Sequence, residues 1–137
     1  MNKYSYDELK IGQKESFEVV VTEQMQTSFL NLSGDINPLH CNCDFAKEKG
    51  FNDKVVYGML TSSFYSTLVG VYLPGENCLF QEAEIQFNKP VYIGDKLIVS
   101  GEVTEKQDLY KRIVVKAKIT ANEKTVSKAK LTLGVLN

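Results

Sequence analysis

The segment Leu32-Ser33-Gly34-Asp35-Ile36-Asn37-Pro38-Leu39-His40 holds a carboxylate and, five positions on, the only imidazole of the chain. Asp35 and His40 are the candidate catalytic pair. An imidazole titrates near neutrality, and a carboxylate that reaches the same water can divide a proton-transfer task with it. Such a pair suits addition of water to a carbon–carbon double bond, or its reversal. The intervening residues suit a fixed shape: Asn37 can hydrogen-bond the loop backbone, while Pro38 fixes its own φ and restricts Asn37. Asn37 and Pro38 are therefore read as loop support. The competing reading is an ordinary helix stop and turn in which His40 is incidental.

Hydration of a double bond needs an activating carbonyl whose oxygen gains charge in the transition state. Val56-Tyr57-Gly58-Met59-Leu60 offers a place for it. A helix starts at Gly58 with no Ser, Thr, Asp or Asn immediately before it, so its first N–H groups are free for another acceptor. Gly58 allows close approach of a ligand to the backbone, and the helix dipole favours negative charge there. A loop carbonyl or a water would satisfy the same donors, and both readings stand. Ser66 lies eight residues further, a little over two turns and near the same face. Ligand contact and close packing are both open to it.

His40-Cys41-Asn42-Cys43-Asp44 resembles a metal run but lacks a second ligand pair, because Cys78 is the only other cysteine. Structural zinc takes four ligands at set spacings, so no metal is expected. Thiol catalysis by Cys41 or Cys43 lacks a third, orienting group. The two are too close in sequence for an unstrained bridge. Reduced thiols and a cytoplasmic home follow.

These residues need elements to position them. Phe17, Val19 and Val21 alternate over Ser16 to Val21 as in a strand. Thr22 then caps a helix with Met25, Phe29 and Leu32 on one face, and Gly34 stops it. A short helix runs from about Cys43 to Lys49, with Asn42 or Cys41 near its start and Gly50 as its stop. From Gly58 to Val71, Met59, Leu60, Phe64, Leu68, Val69 and Val71 cover most of the helical circumference, which predicts a buried helix.

Four period-2 runs follow, with apolar sets Leu79/Ala83/Ile85/Phe87, Leu97/Val99/Val103, Ile113/Val115/Ala117/Ile119 and Ala129/Leu131/Leu133/Val135. Turns at Gly94-Asp95, near Gln107-Asp108 and near Asn122-Glu123 join them into an antiparallel sheet with one apolar face. The class is α+β, an antiparallel sheet wrapped around a long central α-helix, which is the hot-dog fold.

The 137 residues read as one domain over 1–137. With 43% hydrophobic and 24% charged residues and a net charge of −1, the chain is a globular protein with no electrostatic case for nucleic acid or an anionic membrane. No apolar run reaches the length of a membrane span, and the first residues lack the apolar core of a signal peptide. Lys111, Arg112, Lys116, Lys118, Lys124, Lys128 and Lys130 fall mostly on polar strand faces. Solubility and edge protection explain them; steering of an anionic carrier is the functional alternative.

With these residues in view, the chain resembles the MaoC-like family, the (R)-specific enoyl-CoA hydratases or hydratase 2 group. The likeness is carried by Phe29, Leu32, Ser33, Gly34-Asp35, Asn37-Pro38, Leu39, His40 and Ala46. It continues through Gly50-Phe51, Gly58-Met59-Leu60, Phe87-Asn88-Lys89-Pro90-Val91 and Gly94-Asp95-Lys96-Leu97. The resemblance implies that Asp35 and His40 hold the water added across a trans-2-enoyl thioester. It implies that the Gly58 N–H bonds the thioester oxygen and that Ser66 lines the substrate site. It also implies a homodimer joined sheet edge to sheet edge, or a higher homo-oligomer, with acyl-CoA or acyl-ACP as substrate and no cofactor. Asn42 stands where members often carry an acid. Two rivals share the fold: an acyl thioesterase, which has no need of His40, and a non-catalytic acyl-thioester-binding module.

Overall fold

The computed structural model covers residues 1–137. Lys14–Val20 forms β1, and Thr22 ends the extended run by capping α1 (Glu23–Ser33), its hydroxyl accepting the Met25 N–H at 3.2 Å. Gly34, at φ 72°, closes the helix in the left-handed region. Where the residue pattern gives only a Pro-containing turn, the structure has a helical turn, α2 (Pro38–Cys41). Asn37 caps it and Pro38 takes its first position. Asn42 caps α3 (Cys43–Glu48). The central helix α4 (Gly58–Thr67) continues as a π-helical turn over Leu68–Tyr72.

The sheet holds β1, β2 (Cys78–Phe87), β3 (Lys96–Gln107), β4 (Arg112–Ala121) and β5 (Lys124–Val135), in the order β1-β3-β4-β5-β2 and antiparallel throughout. Its inner face (Leu97, Val99, Val103, Ile113, Val115, Ile119, Leu131 and Leu133) packs with Leu60, Tyr65, Leu68 and Val69 into one core. Gly101 makes the close approach possible: a Cβ there would meet Val115 Cγ1 at 2.8 Å and Leu68 Cδ2 at 2.9 Å. A curved sheet lying against one helix is the α+β hot-dog architecture expected.

Four expectations are corrected. On α1 the buried residue is Gln26, 3% exposed, whereas Leu32 is 84% exposed; the helix turns an amide, not its last leucine, toward the loops beneath it. On α4, Leu60, Thr61, Ser62 and Tyr65 are buried but Met59 is 62% exposed, because the sheet covers only one side of the helix. The apolar set of β2 is only partly covered: Ile85 packs against the core, but Leu79 is 47% and Phe87 55% exposed on this edge strand, which has only β5 beside it. Finally, β2 and β3 are not hairpin partners. Residues 88–95 carry the chain from one side of the sheet to the other, pinned where the Asn88 and Lys89 N–H groups share the Val126 carbonyl at 2.8 and 3.2 Å.

Candidate active site

The loop from Ser33 to Asn37 is stitched by its own side chains. The Asp35 N–H donates to the Ser33 hydroxyl at 3.2 Å, and Asp35 Oδ1 accepts the Asn37 N–H at 3.1 Å. Asn37 Oδ1 in turn accepts the Leu39 N–H at 3.0 Å. Asp35, Asn37 and Pro38 are exposed. Asn37 is the cap of α2 and Pro38 its first residue.

His40 sits on α2, half-buried, with Nδ1 2.7 Å from the Val55 carbonyl oxygen. A carbonyl only accepts, so Nδ1 carries the proton and Nε2 keeps a lone pair in the neutral ring. The imidazole stacks on the ring of Tyr57, centroids 4.2 Å apart. Tyr57 is buried, and its hydroxyl donates to the main-chain carbonyl of Asp35 at 2.5 Å. Burial, reinforced by the Cys41 thiol and the Asp35 charge, pushes this phenol well above its ordinary range, so it remains a neutral donor. One tyrosine therefore touches both ends of the Asp35–His40 loop.

Tyr57 is also the residue before α4 and supplies no side-chain cap. Its carbonyl accepts the Leu60 and Thr61 N–H groups at 3.1 and 3.2 Å, which leaves the Gly58 and Met59 N–H groups without a protein acceptor. The bare helix start anticipated at Gly58 is present. The glycine has a second reason, though: a Cβ there would lie 2.8 Å from the Phe87 ring. His40 and Gly58 line one cavity of about 410 Å³, walled by Leu39, Phe51, Val56 and Phe87 among others. The Asp35 carboxylate and Ser66 are not in that wall, and Ser66 is exposed on α4.

Two residues of this site escape the sequence reading. Tyr57 carried a faint signal, a bulky aromatic where a capping residue belongs. Gln26 carried none, since a glutamine in an amphipathic helix reads as solvated. Its amide Nε2 donates to the carbonyls of His40 and Val55, both at 3.1 Å, and its Oε1 accepts the Tyr57 N–H at 3.4 Å. Of the thiols, Cys41 lies 3.5 Å from the Tyr57 hydroxyl, while Cys43 and the Lys54 N–H draw the Asp53 carboxyl below its ordinary value.

A larger groove, about 910 Å³, runs over the outer face of the sheet. There Lys116 faces Lys130 and Lys118 faces Lys128 across β4 and β5, with Glu102 and Glu84 flanking the first pair. This is a solvated charged surface, away from His40. Edge protection is excluded as its reason, because β4 and β5 are interior strands.

Residues 8–125 match the MaoC like domain family. The chain is 30% identical over 130 residues to the (R)-specific enoyl-CoA hydratase of Rhodospirillum rubrum, covering 95% of this chain and 90% of that protein. It is 35% identical over 100 residues to the (R)-specific enoyl-CoA hydratase of Aeromonas caviae, covering 73% and 75%. The solved structure of the unliganded R-hydratase of Pseudomonas aeruginosa superposes with a TM-score of 0.88 at 28% identity, over 96% of this chain and 84% of that one. By family match, relatives and architecture alike, the chain belongs to the MaoC-like family of hot-dog proteins.

Proposed function

We propose that this chain adds water reversibly across the double bond of trans-2-enoyl thioesters to give (R)-3-hydroxyacyl thioesters. It is a hydro-lyase of thioesters, as its relatives' names indicate. The carrier is coenzyme A or acyl carrier protein.

One observation carries the assignment. An imidazole with its Nδ1 proton tied to Val55 lines the same cavity as a helix start whose amides lack partners. In the hydration direction, the water oxygen bonds to C3 and its proton passes to the His40–Asp35 pair. The C2–C3 π electrons move toward the thioester oxygen, where the Gly58 N–H meets the developing charge. C2 then receives a proton, and water has been added without gain or loss of electrons. Ser66, exposed on α4 and outside that cavity wall, has no part in these steps.

No metal or redox cofactor is needed for these steps. The partly covered apolar set of β2 supports a homodimer joined through that edge. Three free cysteines support a reducing, cytoplasmic setting, and no helix is long and apolar enough to cross a membrane.

The test offers crotonyl-CoA and longer enoyl-CoA and enoyl-ACP substrates while following the conjugated double bond and free thiol in parallel. The expected result is loss of absorbance without thiol release, with (R)-3-hydroxyacyl product by chiral chromatography. Thiol release identifies a thioesterase; silence in both channels identifies a binding module.

A further inference from the structure

We propose that Gln26 is a positioning residue for His40, determining which imidazole nitrogen carries the proton and where the ring sits. The inference rests on the assignment of His40 to proton transfer.

A buried amide is costly unless its donors and acceptor are met. Gln26 meets all of them on the site itself. One Nε2 hydrogen goes to the main-chain carbonyl of His40 and the other to the carbonyl of Val55. Its Oε1 takes the N–H of Tyr57, whose ring covers the imidazole. The Val55 oxygen thus accepts from both Gln26 and His40 Nδ1, while the Val55 N–H donates to Leu39 on α2 at 3.0 Å. A hydrophobe of similar size would fill the space in α1. Only a double donor that also accepts can satisfy these three groups together.

Two substitutions separate this role from filling. Methionine keeps the length and loses every hydrogen bond. Glutamate keeps the shape, but its carboxylate faces two carbonyl oxygens with no N–H to give. In either case the Val55 carbonyl is no longer held against Nδ1–H. The ring is then free to take the Nε2–H form, which leaves Nε2 without the lone pair that accepts a proton.

The chain has one histidine, so nitrogen-15 NMR of the imidazole reports its tautomer unambiguously. The neutral wild-type ring is expected as Nδ1–H, shifting toward Nε2–H in Gln26→Met and Gln26→Glu. Hydration kcat should fall about 10- to 100-fold with KM little changed, the signature of misplacement rather than lost binding. In a His40→Ala background, Gln26→Met should cost nothing further. A wild-type Nε2–H tautomer overturns the proposal even where neither variant folds. So does a folded Gln26→Met enzyme with wild-type kcat. An unimpaired His40→Ala enzyme instead sinks the catalytic assignment of His40, and leaves the tautomer alone to judge Gln26.

Discussion

The imidazole of His40 lies against the phenol ring of Tyr57, with centroids 4.2 Å apart and planes 30° apart. Through its hydroxyl the same tyrosine holds the Asp35 main chain. The spacing between acid and imidazole is thus set by a residue far along the chain as well as by the loop between them. Tyr57→Phe keeps the stack and loses the donor. Its hydration rate should fall about tenfold through misplacement of the acid. Its stability should fall by no more than about 1 kcal/mol, because Asp35 is exposed and water can take its carbonyl. Tyr57→Leu also empties part of the core and should cost about 3 kcal/mol in a urea titration. A Tyr57→Phe enzyme at full rate removes the tyrosine from this account.

Asp35→Asn and His40→Ala should each lower kcat by about 10²- to 10⁴-fold. Their double variant should be scarcely slower than the worse single one, as for groups that act as a unit. Asp35 is exposed, so its variant should melt close to wild type. Enoyl-CoA hydration kinetics decide the matter: an Asp35→Asn enzyme as fast as wild type leaves the chemistry to His40 alone.

Gly58→Ala drives a methyl group into the Phe87 ring. A loss of about 1–3 kcal/mol is expected from this overpacking. Thermal unfolding should show most of that penalty absent when Gly58→Ala is made in a Phe87→Ala chain. An equal penalty in both backgrounds would show that the ring is not the obstacle.

Leu79 and Phe80 are exposed apolar residues on the edge strand β2. Replacing Leu79 by Lys should weaken self-association by at least about 2 kcal/mol, from lost burial and an added charge. Sedimentation velocity should find wild-type dimers and Leu79→Lys monomers at the same concentration. Monomeric wild type would show that this edge is not an interface.

Burial pushes the Cys78 thiol up to about 11, and it pushes the Tyr65 phenol up to about 12 despite the opposing hydrogen bond to Ser127. The unfolded chain releases these protons near 9.0 and 10.0. Above those values the unfolded state binds fewer protons than the folded one, so stability falls as pH rises. It should be fully present below pH 9.0 and decline first through Cys78, then through Tyr65. Thermal melts from pH 8 to 11 should show the decline, with Cys78→Ala delaying its onset. An unchanged midpoint across that range contradicts the assignment.

The sheet was legible wherever one strand face is buried and the other wet, as in Ile113/Val115/Ile119 against Lys116 and Lys118. The ends of α1 were legible because Thr22 and Gly34 act locally. Strand order was not, because period-2 patterning states which face is inward and not which strand lies alongside; β2 looks like the hairpin partner of β3 and pairs with β5. Leu79 and Leu32 look like core because hydrophobicity does not say whether the cover comes from the same chain. In the candidate site, residues adjacent in sequence can be singled out by type and spacing, whereas the groups that pack against them cannot. Gln26 and Tyr57 act on His40 through main-chain atoms and ring contact across α1, α2 and α4, which no local spacing encodes.

The position of β2 also governs how the molecule is born. It leaves the ribosome before β5, yet β5 is its only partner in the sheet, from Cys78 opposite Val135 to Phe87 opposite Ser127. Throughout the synthesis of residues 88–123 it waits with its ladder unmade and its greasy side bare, a period of aggregation risk that chaperones exist to cover. The cavity walled by Phe87 and Val126 is complete only when β5 slots between β4 and β2, so it cannot close until the last strand has been made.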